Sequence, residues 1–182
     1  MSAGMLTLRF KKTLDATATL TLIRSDGSVA WAPLGLADGF GPMHDMAHLV
    51  VERQLLIVDG LLGLVARGAN FEDFGDGPAA RLGAGAVRAE AVAGLLALEG
   101  LTGQRLTLAA FNDAVTTRCG QMRPGYHAPE LTPTALHALR SELASLRRQW
   151  DALDAGAFLE LRFGDAPSAP DGYPAPTPSA CA

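Results

Sequence analysis

Strict alternation at the two ends of the chain constrains its fold more than any other feature. Leu6, Leu8 and Phe10 alternate with Thr7 and Arg9, and far downstream Leu159, Leu161 and Phe163 alternate with Glu160 and Arg162. Period two is the mark of a strand with one buried face. Thr19 to Arg24 repeats the pattern with Leu20 and Leu22 on one side. Ser25-Asp26-Gly27-Ser28 then signals a turn, and Val29-Ala30-Trp31 opens a third strand. The simplest topology pairs the last strand with this N-terminal sheet and stacks the intervening segments on one face. The expected class is therefore α+β, a small antiparallel sheet packed by four to five helices.

Those intervening segments read as helices. Pro42, suited to the first position of a helix, begins one that is apolar nearly all round and runs to about Val58. Asp59-Gly60 should end it, and Leu61 to Ala66 forms a short second helix. Ala86 to Glu99 and Leu106 to Arg118 supply two more, separated from the first pair by a glycine-rich acidic loop. Thr132 is an N-cap with Pro133 behind it, and Leu136, Leu139, Leu143, Leu146, Trp150 and Leu153 form a heptad-type stripe with Gly156 as the stop. Such a stripe serves either as a core face or as a homodimer seam, the former being the commoner use.

The boundaries expected from this pattern are a single α+β domain over residues 1–163 and a disordered Pro/Ala/Ser-rich tail over 164–182, which has no apolar face to bury. With 48% hydrophobic and 19% charged residues the rest of the chain has ample material for a core. The formal net charge of −4 and the absence of any large basic cluster argue against nucleic acid as a partner. Leu49 to Val65 is interrupted by Glu52, Arg53, Gln54 and Asp59, so a membrane span is not expected. Only Lys11 and Lys12 represent lysine among many arginines, alanines and glycines, a bias of GC-rich bacterial genomes. The first residues lack a signal-peptide layout, and two cysteines make no disulfide framework, so a cytoplasmic location is expected.

The residues that point to chemistry are His44-Asp45-Met46-Ala47-His48, continuing to Glu52. Histidines at i and i+4 share a helix face and can meet at one metal ion, zinc being the usual choice. Zinc proteases place a glutamate after the first histidine as a general base, and here Asp45 holds that position. Asp45 or Glu52 would then handle protons, while His127 is the first candidate for a third ligand, with Glu72, Asp73 or Asp76 behind it. A helix N-terminus beside His44 should depress its pKa. The competing reading is a buried hydrogen-bond network of the same His, Asp and Glu side chains in a non-catalytic interaction or structural protein. No substrate, small molecule or otherwise, can be read from these residues.

The run Met43-His44-Asp45-Met46-Ala47-His48-Leu49-Val50-Val51-Glu52, followed by Gly60-Leu61-Leu62-Gly63-Leu64-Val65-Ala66-Arg67-Gly68, resembles a group of small uncharacterised bacterial proteins. These carry HDxxHxxVE after an N-terminal hairpin and then GxxGxxAxG. The resemblance covers roughly the first 70 residues and implies that His44, Asp45, His48 and Glu52 form one unit. A looser similarity, of spacing alone, links the same run to HExxH zinc hydrolases and departs at Asp45.

Overall fold

The computed structural model describes residues 5–74 and 83–164, and of Glu72 only the backbone. Among these residues the chain is α+β, a four-stranded antiparallel sheet and five α-helices. The strands are β1 (Leu6–Lys12), β2 (Thr17–Arg24), β3 (Val29–Leu36) and β4 (Phe158–Phe163), in the order β3-β2-β1-β4. β4 closes back on β1 with Leu8 opposite Leu161 and Phe10 opposite Leu159, so the two alternating ends do pair. One sheet face is buried through Leu6, Leu8, Phe10, Leu20, Leu22 and Ala30, while Thr7, Arg9 and Thr21 on the other are half-buried and Trp31 is exposed. β3 runs on to Leu36, beyond the short strand expected; an edge strand tolerates Pro33 because its missing N–H need not face a neighbour.

The helices are α1 (Phe40–Gln54), α2 (Leu61–Ala66), α3 (Ala84–Thr102), α4 (Leu108–Met122) and α5 (Pro133–Asp151), with a 3₁₀ turn at Phe71–Phe74. α1 packs on the sheet and on α3 and α5, which is why it is apolar nearly all round; α3 carries α4 on its far side. Thr132 caps α5 by accepting a hydrogen bond from Ala135 N–H, as its sequence predicts. Leu136, Leu139, Leu143, Leu146 and Trp150 are all buried within the chain, the core-face alternative for that stripe. Trp150 ties the helix layer to the sheet, edge-on to Phe10 and donating from Nε1 to Ala37 O at 2.7 Å.

α1 ends four residues before the expected Val58. Leu56 adopts a left-handed φ of 53°, Leu56 N–H bonds to Arg53 O, and Ile57 N–H reaches back to Glu52 O. That is the bonding of a Schellman cap, with leucine where glycine is usual, at a steric cost of about 1–2 kcal/mol. The cap turns the chain sharply enough for α2 to return against the C-terminal half of α1. The expected tail over 164–182 falls, beyond Gly164, outside the described residues, as do Gly75 to Pro78 of the acidic loop.

Candidate metal centre

His44, His48 and Glu52 recur every four residues along α1 and therefore share one face. That face looks at α3, whose Glu90 is set among Ala86, Ala89, Ala91 and Ala93; side chains this small let the two helices approach closely. The Glu90 carboxylate meets both rings. His44 Nε2 lies 3.3 Å from Glu90 Oε1, and His48 Nε2 lies 3.0 Å from Glu90 Oε2. The rings stand edge to face with centroids 4.7 Å apart, and Phe40 stacks on His44 at 5.0 Å.

The opposite ring nitrogens are also occupied. His48 Nδ1 is 3.2 Å from Glu52 Oε1, and His44 Nδ1 is 3.4 Å from Asp45 Oδ1. Each Nδ1 faces a carboxylate, so a proton held there leaves the Nε2 lone pair directed at Glu90. A carboxylate behind an imidazole in this way sets the tautomer and orients the ring of a metal ligand. Glu52 is itself fixed: its carboxylate accepts from Leu62 N–H at 3.0 Å and Gly63 N–H at 3.2 Å, the unpaired donors at the start of α2. Gly60 and Gly63 make room here. A Cβ on Gly60 would collide with the Glu52 carboxylate, and one on Gly63 with Val58 O. Gly60 of the second run thus leaves room for the glutamate that ends the first, and Gly63 for the Val58 carbonyl.

His48 and Glu52 are buried, His44 is largely so, and Glu90 retains 43% of its side-chain exposure. Without an ion the cluster holds charge. Burial works against an imidazolium at His48, but hydrogen bonds and charges from Glu52 and Glu90 outweigh it and push the pKa up to about 10. Burial likewise opposes the charged form of His44, yet the hydrogen bonds to Asp45 and Glu90 raise it above the ordinary histidine value. The depression expected from the helix N-terminus is overridden by these two carboxylates. Hydrogen bonds from the two histidines hold Glu90 well below the usual carboxylate range.

One ligand atom each from His44, His48 and Glu90 lies within 4.8 Å of the others. The two histidines approach different oxygens of the one carboxylate, at 3.3 and 3.0 Å, which are hydrogen-bond separations that an ion between the three groups would replace. The third group is Glu90 and not one of the residues singled out in the sequence. His127 is exposed on the loop after α4, outside this cluster. Asp73 is exposed and accepts from Asn70 N–H, while the Glu72 side chain and Asp76 lie outside the described residues. Asp45 and Glu52 stand at the Nδ1 side of the rings, behind the convergent nitrogens. What marked Glu90 in the sequence was a carboxylate on a helix otherwise rich in alanine and leucine. Cys119 is buried, and burial pushes its thiol pKa up, against any nucleophilic role. Compared with protein-family models, curated proteins and solved structures, the chain matches none of them.

Proposed function

We propose that this protein binds one divalent transition-metal ion, zinc by its ligand chemistry, through His44 Nε2, His48 Nε2 and the Glu90 carboxylate. The observation that carries this reading is the directed convergence of the cluster: both Nε2 atoms meet one carboxylate while both Nδ1 atoms are backed by another. Two imidazoles and a carboxylate suit zinc better than the oxygen-seeking calcium or magnesium. Asp45 and Glu52 are positioning residues, orienting the rings from behind. Three protein ligands leave a fourth position for water, the arrangement of catalytic zinc sites, and the enzyme class that follows is a metal-dependent hydrolase. Glu90 keeps 43% of its side-chain exposure, which would let water reach an ion held there.

A second reading is favoured by one observation: the His48 imidazolium already lies between two carboxylates and needs no ion to be satisfied. On that reading the cluster is a buried ionic network in a non-catalytic protein. Titration of chelator-treated protein with zinc, followed by calorimetry, separates the two. The metal reading expects one ion per chain and a loss of about a hundredfold in affinity on Glu90→Gln. Absence of saturable binding in the wild type, or equal binding by Glu90→Gln, overturns it.

A further inference from the structure

The two edges of the sheet are built differently. In antiparallel pairs alternate residues exchange both backbone bonds with one neighbour and none with the other. Lys12 N–H donates to Ala157 O at 3.0 Å, and Thr13 N–H to Thr17 O at 3.0 Å. With Phe10 opposite Leu159 and Leu8 opposite Leu161, residues 157, 159, 161 and 163 bond to β1. Phe158, Glu160 and Arg162 therefore turn their N–H and C=O groups to the open edge, where β4 pairs with no other strand among the described residues. At the opposite edge Arg24 N–H bonds to Ser28 O, so Ala30 and Ala32 face β2 and Val29, Trp31 and Pro33 face outward. Pro33 lacks a donor, Gly35 turns left-handed at φ 73°, and a register shift at Ala18/Thr19 twists that side. Proline and irregularity are the usual devices that stop an edge from pairing. β4 carries neither.

The sequence of β4 is also complementary to itself. Set antiparallel about a two-fold axis through Leu161, Glu160 of one copy falls opposite Arg162 of the other, twice. The outward backbone groups belong to these same residues, so the ion-paired positions are the hydrogen-bonded ones. On the other face Leu161 meets Leu161 and Leu159 meets Phe163, at the closely spaced non-hydrogen-bonded positions. Leu159 and Leu161 are only half-buried in the single chain, an apolar strip that the helix layer leaves incompletely covered.

We propose that β4 is the contact edge of a symmetric homodimer, in which two copies join their sheets into one of eight strands. The partner is a second copy of this chain, selected by the Glu160–Arg162 crossing.

Sedimentation of the full chain over a ~hundredfold dilution tests this, because association is linked to concentration. The expected result is a monomer–dimer equilibrium weakened at least about tenfold by Arg162→Glu and by Glu160→Lys, each of which sets like charges opposite. Mixing the two variants should restore dimers, since each charge then meets its opposite. Arg162→Glu leaves the surface pair of Arg9 with Glu160 intact and so serves alone if Glu160→Lys misfolds. A wild type that stays monomeric throughout, or an Arg162→Glu chain that dimerises as the wild type does, overturns the proposal.

Discussion

Two carboxylates on α3, Glu90 and Glu99, each meet positively charged or chargeable side chains from another helix, and the two meetings are built to different ends. Glu99 is buried and takes a guanidinium fork: Arg140 Nε donates to Oε2 at 2.8 Å and Nη2 to Oε1 at 2.6 Å, while Leu106 N–H adds a third bond at 2.8 Å. The remaining reach of Arg140 goes to Leu106 O. A guanidinium offers only donors, so Arg140 has no lone pair to give a metal ion. Glu90 meets imidazoles instead, each able to exchange a proton for a lone pair, and it remains half-open to solvent. One carboxylate fastens α3 to α5. The other fastens α3 to α1 only while the protons stay, and can hold those helices through an ion when they leave.

The largest effect that could break this contrast is expected at the Glu99 cluster. Arg140→Ala leaves the Glu99 carboxylate buried without its counter-charge and should cost about 3–5 kcal/mol. Urea unfolding should show the same loss in chelator and in zinc; a zinc-dependent loss would mean that the two clusters are one system. At the open cluster, His48→Ala removes the partner shared by Glu52 and Glu90 and should cost about 1–3 kcal/mol in chelator. It should also abolish the stabilisation by zinc that the wild type gains, read as the difference between melts with zinc and with chelator.

The pH dependence sharpens the comparison further. The pKa of His48 is raised from 6.5 to about 10, so its ion pairs stabilise fully below the unfolded value and fade as pH climbs toward 10. Glu90 is shifted downward from 4.5, so its contribution is complete above that value and is lost as pH falls below it. Ion-free protein should therefore be most stable between the two unfolded values and weaken on the alkaline side. Zinc binding runs the other way, because protons compete for the same nitrogens. Melts in zinc and in chelator should diverge as pH rises from 6 to 9; curves that fall together would favour the ionic network. The smallest effect is expected from Asp45→Asn, which weakens the hold on His44 Nδ1 without removing a ligand. It should lower zinc affinity about tenfold with little change in stability in chelator.

The legible parts of the molecule were those in which a local pattern has only one outlet. Leu6, Leu8 and Phe10 could bury only one face, and their mirror at Leu159, Leu161 and Phe163 required a partner strand. The i, i+4 spacing of His44 and His48 likewise left the rings no choice but to share a side. Glu90 was not legible, because its role depends on which helix lies across from α1, and no spacing encodes that. His127 drew attention by being a histidine, yet its loop leads it to solvent. The early end of α1 was hidden for a related reason: Leu56 at a left-handed position contradicts its own preference and is held there by the Ile57-to-Glu52 bond and by α2 beyond.

The seating of α2 has a consequence for the order in which the chain assembles. Six residues are too few to persist as a helix alone, since nucleation outweighs the few bonds gained. The first donors of α2 are taken by a side chain ten residues earlier, on a helix that must already be wound for Glu52 to point the right way. α2 is therefore expected to form late, condensing onto a finished α1. Until that step Glu52 lacks its two backbone donors from α2, so the backing of His48 Nδ1 is completed only when α2 docks. Substitutions in α2 should accelerate unfolding and leave the folding rate nearly untouched, as befits contacts absent from the transition state.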